Sequence, residues 1–168
     1  MVTVVKPAPI FSSSNLKREL EPAEAGTLLA ACSSPVEFRA LHLPLYAGVG
    51  LYEIPGIRGD GWNRGRLSFR GHYGRRVIPT HIALEAEREH ILSCDPSPDE
   101  LLEAALAVEQ RTGIDFTFHT LLTTISRRLQ AGGVPGPVRA SLLGLPSARA
   151  VDWPFPVLRD AIDQLSYR

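Results

Sequence analysis

The sequence is almost without lysine. Of its 18 basic residues only Lys6 and Lys17 are lysines, and the rest are arginines. This removes the usual Schiff-base and phosphate-loop lysines, and no Walker-type loop or Gly-x-Gly-x-x-Gly turn is present. A GC-rich genome accounts for the bias. Selection for planar, forked, permanently charged donors is the sharper alternative and carries less weight. Cysteine is scarce too: Cys32 and Cys94 stand far apart with no metal or redox spacing. The N-terminus, Met-Val-Thr-Val-Val-Lys, lacks the positive-then-apolar order of a signal peptide. The chain therefore reads as cytoplasmic, with both thiols reduced and Cys32 a small core residue. No apolar run approaches the ~20 residues of a membrane-spanning helix, so no membrane partner is expected. Net charge is also absent, with 18 basic against 18 acidic residues, so the whole chain is no electrostatic magnet for polyanions.

What is there is ordinary globular composition, 44% apolar and 21% charged, which argues against disorder. The 168 residues suit a single domain, 1–168, with an extended, proline-bearing arm at 1–11 and an edge strand at Thr3–Val5. Ser12, Ser13 and Ser14 offer N-caps for a first helix, and a better helical stretch runs Pro22–Cys32. Val36–Leu43 has no settled period, although Ser34-Pro35-Val36-Glu37 has the form of a capped helix start, and Pro44 should end it. Tyr46–Ile54 alternates as a strand. Leu67, Phe69 and Tyr73 occupy strand positions in a glycine-rich segment that continues through Val77 and Ile78. His81–Glu87 alternates as a half-buried strand, although its Ala, Leu and Glu content fits a helix nearly as well. Ser97-Pro98-Asp99-Glu100 is the clearest helix start, and Gly113 suits its end. Asp115 is placed to cap a second helix through Leu129, within which His119 reads as a core histidine. Short helices follow near Val138–Leu143 and Pro156–Leu165. The predicted class is α+β, a small antiparallel sheet at roughly 46–87 packed by N-terminal and C-terminal helices.

Net neutrality hides a segregated charge. Six arginines less Asp60 leave +5 over residues 58–76, whereas nine carboxylates less Arg88 and Arg111 leave −7 over residues 85–115. The basic segment interleaves Arg58, Arg64, Arg66, Arg70, Arg75 and Arg76 with Trp62, Phe69, His72 and Tyr73. Cations spaced along a strand suit phosphates, and aromatic faces suit stacked bases, at about 1–3 kcal/mol per base. On a strand Arg64, Arg66 and Arg70 would share a face. These ten residues are the candidate binding site. The acidic stretch suits phosphate mimicry toward a nucleic-acid-handling machine. The bland alternative is that the two segments face each other or are simply solvated.

No catalytic set is complete. Glu85-Ala86-Glu87 resembles the Glu-x-Glu motif of ADP-ribosyltransferases, and the order Arg39, Ser68, Glu87 matches theirs. The resemblance implies that Arg39 and Ser68 would hold NAD and that Glu87 would stabilise a ribosyl cation. The family's Ser-Thr-Ser motif is missing and the arginine-to-glutamate spacing is short. Gly61-Trp62-Asn63-x-Gly65 resembles the core of RES-domain toxins, which also consume NAD. His81, His90 and Cys94 supply too few converging ligands for zinc, so no metal and no cofactor is expected. The leading reading is a noncatalytic protein that engages nucleic acid, or a nucleoprotein complex, through residues 58–76. The alternatives are an NAD-consuming enzyme centred on Glu87 and a structural subunit of a larger assembly.

Overall fold

One helix, Pro35–Ala47, sits at the centre of the helical packing. The computed structural model describes residues 18–146 and 153–168. The order is α1 (Pro22–Ala30), the central α2 (Pro35–Ala47), and 3₁₀ turns at Ile54–Gly56 and Gly59–Gly61. Then come β1 (Trp62–Asn63), β2 (Arg66–Gly71) and β3 (Gly74–Pro79), followed by α3 (Ile82–Ala86), α4 (Arg88–Leu92) and α5 (Pro98–Thr112). The chain ends with α6 (Phe118–Ala131), α7 (Gly136–Leu143) and α8 (Phe155–Asp163). The class is α+β as expected, with one antiparallel sheet in the order β1-β2-β3. The arm at 1–11, the strand at Thr3–Val5 and the caps Ser12, Ser13 and Ser14 lie outside the described residues.

α2 packs against α1, α3, α4, α5 and α6, and residues 39–49 are all buried. Burial on every side explains why its sequence showed no period: a helix with no wet face has no amphipathic stripe. Pro44 does not end it, contrary to expectation. The helix runs through to Ala47 and stops at Gly48, which takes a left-handed conformation and donates to the Pro44 carbonyl at 3.0 Å. The strand expected over Tyr46–Ile54 is therefore the end of α2, a turn and a 3₁₀ segment, and the sheet begins only at Trp62. The alternation there came from buried residues on a helix end. His81–Glu87 is helical rather than extended: His81 Nδ1 accepts the Ala83 N–H at 3.0 Å and caps α3. The start of α5 is as read, with a reciprocal Ser97–Glu100 capping box. α6 is capped by Thr117 with Thr120, not by Asp115, and His119 is exposed beside buried Phe118.

Polar groups are built into this central helix. Arg39 is 1% exposed and has no carboxylate within ion-pairing distance among the described residues. Its Nη1 donates to the Ile91 and Cys94 carbonyls at 3.0 and 3.1 Å, and its Nη2 to those of Ile54 and Ile57 at 2.9 and 2.6 Å. One side chain thus ties α2 to the first 3₁₀ turn and to the end of α4. Glu37 is buried and accepts a fork from Arg111 at 2.9 and 3.0 Å, plus the Ser33 N–H at 2.7 Å. These donors, Arg111 first, hold its carboxyl below the usual range. Phe38, His42 and Tyr46 stack along α2 at i, i+4 spacing, extended by His90 against Phe38 and His81 against Tyr46. Burial pushes the His42 imidazole down to about 4.

Two outcomes follow. Arg39→Met removes four hydrogen bonds to inward carbonyls, of which only that of Ile54 keeps a backbone N–H, from Ile57, and should lower unfolding stability by about 3–5 kcal/mol in urea titration; a loss below about 1 kcal/mol contradicts the clamp. His42 is neutral in the fold and protonates more readily when unfolded. Its contribution is complete above its ordinary value of 6.5 and is lost as pH falls toward its folded value of about 4. Between about pH 7 and about pH 4.5 this amounts to roughly 2–3 kcal/mol. His42→Phe should flatten that part of the pH–stability curve; an unchanged slope contradicts the assignment.

Candidate nucleic-acid interface

The sheet sorts the basic segment into two faces. Along β2 the odd positions Leu67, Phe69 and Gly71 are buried, and Arg66 and Arg70 are exposed. β3 pairs with it so that Phe69 faces Arg76, Ser68 faces Val77 and Arg70 faces Arg75. The inner face therefore carries Trp62, Leu67, Phe69, Arg76 and Ile78, and the outer face Asn63, Arg66, Ser68, Arg70, Arg75 and Val77. Period-two alternation alone produces this partition.

Three of the ten candidate residues consequently leave the surface. Trp62 is buried, and its indole N–H donates to Glu85 at 2.9 Å. Phe69 is core, and the Arg76 guanidinium sits over its ring at 4.9 Å. Arg76 itself is buried and pairs with Glu53 at 3.0 Å, while its other Nη donates to the Leu142 carbonyl of α7. Stacking on Trp62 or Phe69 and phosphate contact by Arg76 are thereby excluded in this fold. The sequence interleaved rings with arginines, but strand alternation placed those rings inward.

The other seven, Arg58, Arg64, Arg66, Arg70, His72, Tyr73 and Arg75, are exposed. No carboxylate among the described residues pairs with any of their five guanidinium groups. The Arg66 guanidinium lies 4.1 Å over the Phe155 ring of α8, and Arg75 Nε donates to Ser68 Oγ at 3.0 Å. Arg70 and Arg75 sit directly opposite each other across the strands. Like charges in that arrangement are unfavourable in the free protein by about 0.2–1 kcal/mol. Arg64 is a second residue that sits unfavourably. With Gly65 it forms the two-residue turn between β1 and β2, at φ of +50° and +74°. Such turns favour Asn or Gly, and a long side chain at Arg64 is a strained choice.

Aromatic surface does exist, but at the hairpin tip. Tyr73 is 66% exposed and meets His72 edge-on at 4.7 Å. Glu53 Oε2 accepts the His72 N–H at 3.0 Å, which brings the tip against the turn holding Tyr52. Tyr52 is 81% exposed. Sequence reasoning missed it because residues 46–54 were read as a strand rather than as a loop beside the tip. Gly61 permits the close passage under the sheet, since a Cβ there would meet the Ser68 carbonyl oxygen at 2.3 Å.

The NAD-type constellation is taken apart by the same contacts. Arg39 is bound to four carbonyls inside the core. Ser68 is held by Arg75 on the outer sheet face, and Glu85 accepts from both Trp62 and Thr80. Glu87 lies at the junction of α3 and α4 with His90 Nδ1 at 2.8 Å. On this helical kink Glu85 and Glu87 do not share the single strand face that the motif requires. Among the described residues no three His, Cys, Asp or Glu side chains converge as a metal site. No helix among them is long and apolar enough to cross a membrane.

No family model and no curated protein matches the chain. Among solved structures it is similar to the integrase from mycobacterium phage Brujita, with a TM-score of 0.78 at 16% identity. The likeness covers 89% of this chain and 58% of that one, so this chain spans little over half of the integrase's length. At that identity the likeness shows a shared fold.

Proposed function

We propose that the chain is a noncatalytic nucleic-acid-binding protein whose ligand lies across the outer face of β2 and β3. The observation that carries this reading is the Arg70–Arg75 pair, two guanidinium groups opposed on one sheet face with no carboxylate among the described residues to neutralise them. A polyanion turns that mutual repulsion into attraction. Arg58, Arg64 and Arg66 extend the cationic surface, and Tyr52, His72 and Tyr73 offer ring faces at its end. The likeness to a protein named an integrase supports a DNA-handling context.

The noncatalytic part rests on how the reactive groups are used. Charge stabilisation at a reacting phosphate needs cations aimed at an open site. Arg39 and Arg76, the two arginines deepest in the fold, point instead at main-chain carbonyls and Glu53. Glu85 serves Trp62 and Thr80.

Changing Arg66, Arg70 and Arg75 together to alanine should weaken binding of a labelled oligonucleotide roughly 100-fold and flatten the salt dependence by about 2–3 charges, measured by anisotropy over a salt series. The same chain should tolerate Arg70→Thr with unchanged or slightly raised thermal stability. Full retention of affinity and slope in the triple variant removes the proposal.

A further inference from the structure

The outer sheet face is not the molecule's only unpartnered surface. On α5, Asp99, Leu102, Glu103, Leu106 and Gln110 are all exposed and recur at i, i+3, i+4, i+7 and i+11, one stripe of the helix. Leu102 and Leu106 are 44% and 51% exposed, and no cation among the described residues pairs with Asp99 or Glu103. The opposite face of α5, with Leu101, Ala105 and Val108, packs on α1 and α2. The stripe is therefore an acidic rim around two leucines. The outer sheet face has the inverse pattern: Val77, 43% exposed, is surrounded by Arg66, Arg70 and Arg75 through the strand register. Spacings agree as well. Residues four apart on a helix rise about 6 Å, and residues two apart on a strand about 6.6–6.8 Å. Among the described residues no ion pair joins the two faces within one chain.

We propose that these two faces bind each other between copies, the α5 stripe of one chain seating on the β2–β3 face of the next. The contact is heterologous: each copy uses one face as donor and keeps the other free, which gives open, concentration-dependent chains rather than a closed symmetric dimer. Its strength depends on salt, because both rims are solvent-exposed. It stands whether or not nucleic acid is a ligand of the sheet face. Where nucleic acid does bind there, the two compete for Arg66, Arg70 and Arg75.

The test is a charge exchange read by sedimentation velocity on the full chain without nucleic acid. At low ionic strength, about 20 mM, the wild type should sediment well above its 18.4 kDa monomer as concentration rises, and return to monomer at about 500 mM salt. Asp99→Lys with Glu103→Lys makes both faces basic; Arg70→Glu with Arg75→Glu makes both acidic. Each variant alone should associate at least ~10-fold more weakly than wild type, and their equimolar mixture should recover association. Recovery on mixing excludes simple damage to the fold. A wild type that stays monomeric at low salt, a variant that associates undiminished, or a mixture that does not recover each overturns the proposal.

Discussion

Arg39 is a positive charge at the centre of the molecule, held there by oxygen atoms of the main chain rather than by a carboxylate. Taking a guanidinium out of water is costly unless its donors are satisfied, and burial correspondingly lowers its proton affinity. Four carbonyls satisfy both Nη atoms, and they come from the 3₁₀ turn, the residue after it, the end of α4 and Cys94. The Ile54 carbonyl also accepts the Ile57 N–H within the 3₁₀ turn, whereas the carbonyls of Ile57 and Cys94 lie outside any helix or strand and take their donors from the guanidinium. The loop from Val49 to Gly61 and the α4 end are thus pinned to α2. The sheet that starts at Trp62 inherits its position from that pinning.

Arg76 repeats the device at the other end of α2. It crosses from β3 to Glu53, to the Gly48 carbonyl and to α7. Glu53 in turn accepts the N–H groups of Gly50 and His72. Arg39, Arg76 and the arginines between residues 58 and 75 accordingly fall into two classes separated by strand alternation and helix burial. Those turned inward replace missing main-chain partners. Arg58, Arg64, Arg66, Arg70 and Arg75 turn outward without a carboxylate partner among the described residues and, at Arg64 and at the Arg70–Arg75 pair, sit where an isolated fold would favour other residues. Natural proteins depart from local preference in this way chiefly at functional sites.

The helices α5, α6 and α8 were legible because each presents one apolar stripe to the core and one wet face, and because caps such as Ser97 with Glu100 announce a start. α2 was not, since full burial erases the stripe and a tolerated proline masquerades as a stop. The same blindness displaced the sheet: apolar residues after Tyr46 looked like a strand, and Tyr52 was hidden inside it. Within the basic segment the charges were legible, but their partition was not. Which of Trp62, Phe69 and Arg76 turns inward depends on register, and register is set by pairing with residues that a linear reading treats as one undivided patch.

The account rests on that division between buried and presented arginines, and arginine-directed modification reads it residue by residue. With a dicarbonyl reagent and peptide mass spectrometry on the folded chain, Arg58, Arg64, Arg66, Arg70 and Arg75 should label readily and become protected when an oligonucleotide is added. Arg39 and Arg76 should stay unlabelled in both states. Labelling of Arg39 or Arg76 at the rate of the others, or five outer arginines indifferent to the oligonucleotide, would contradict it.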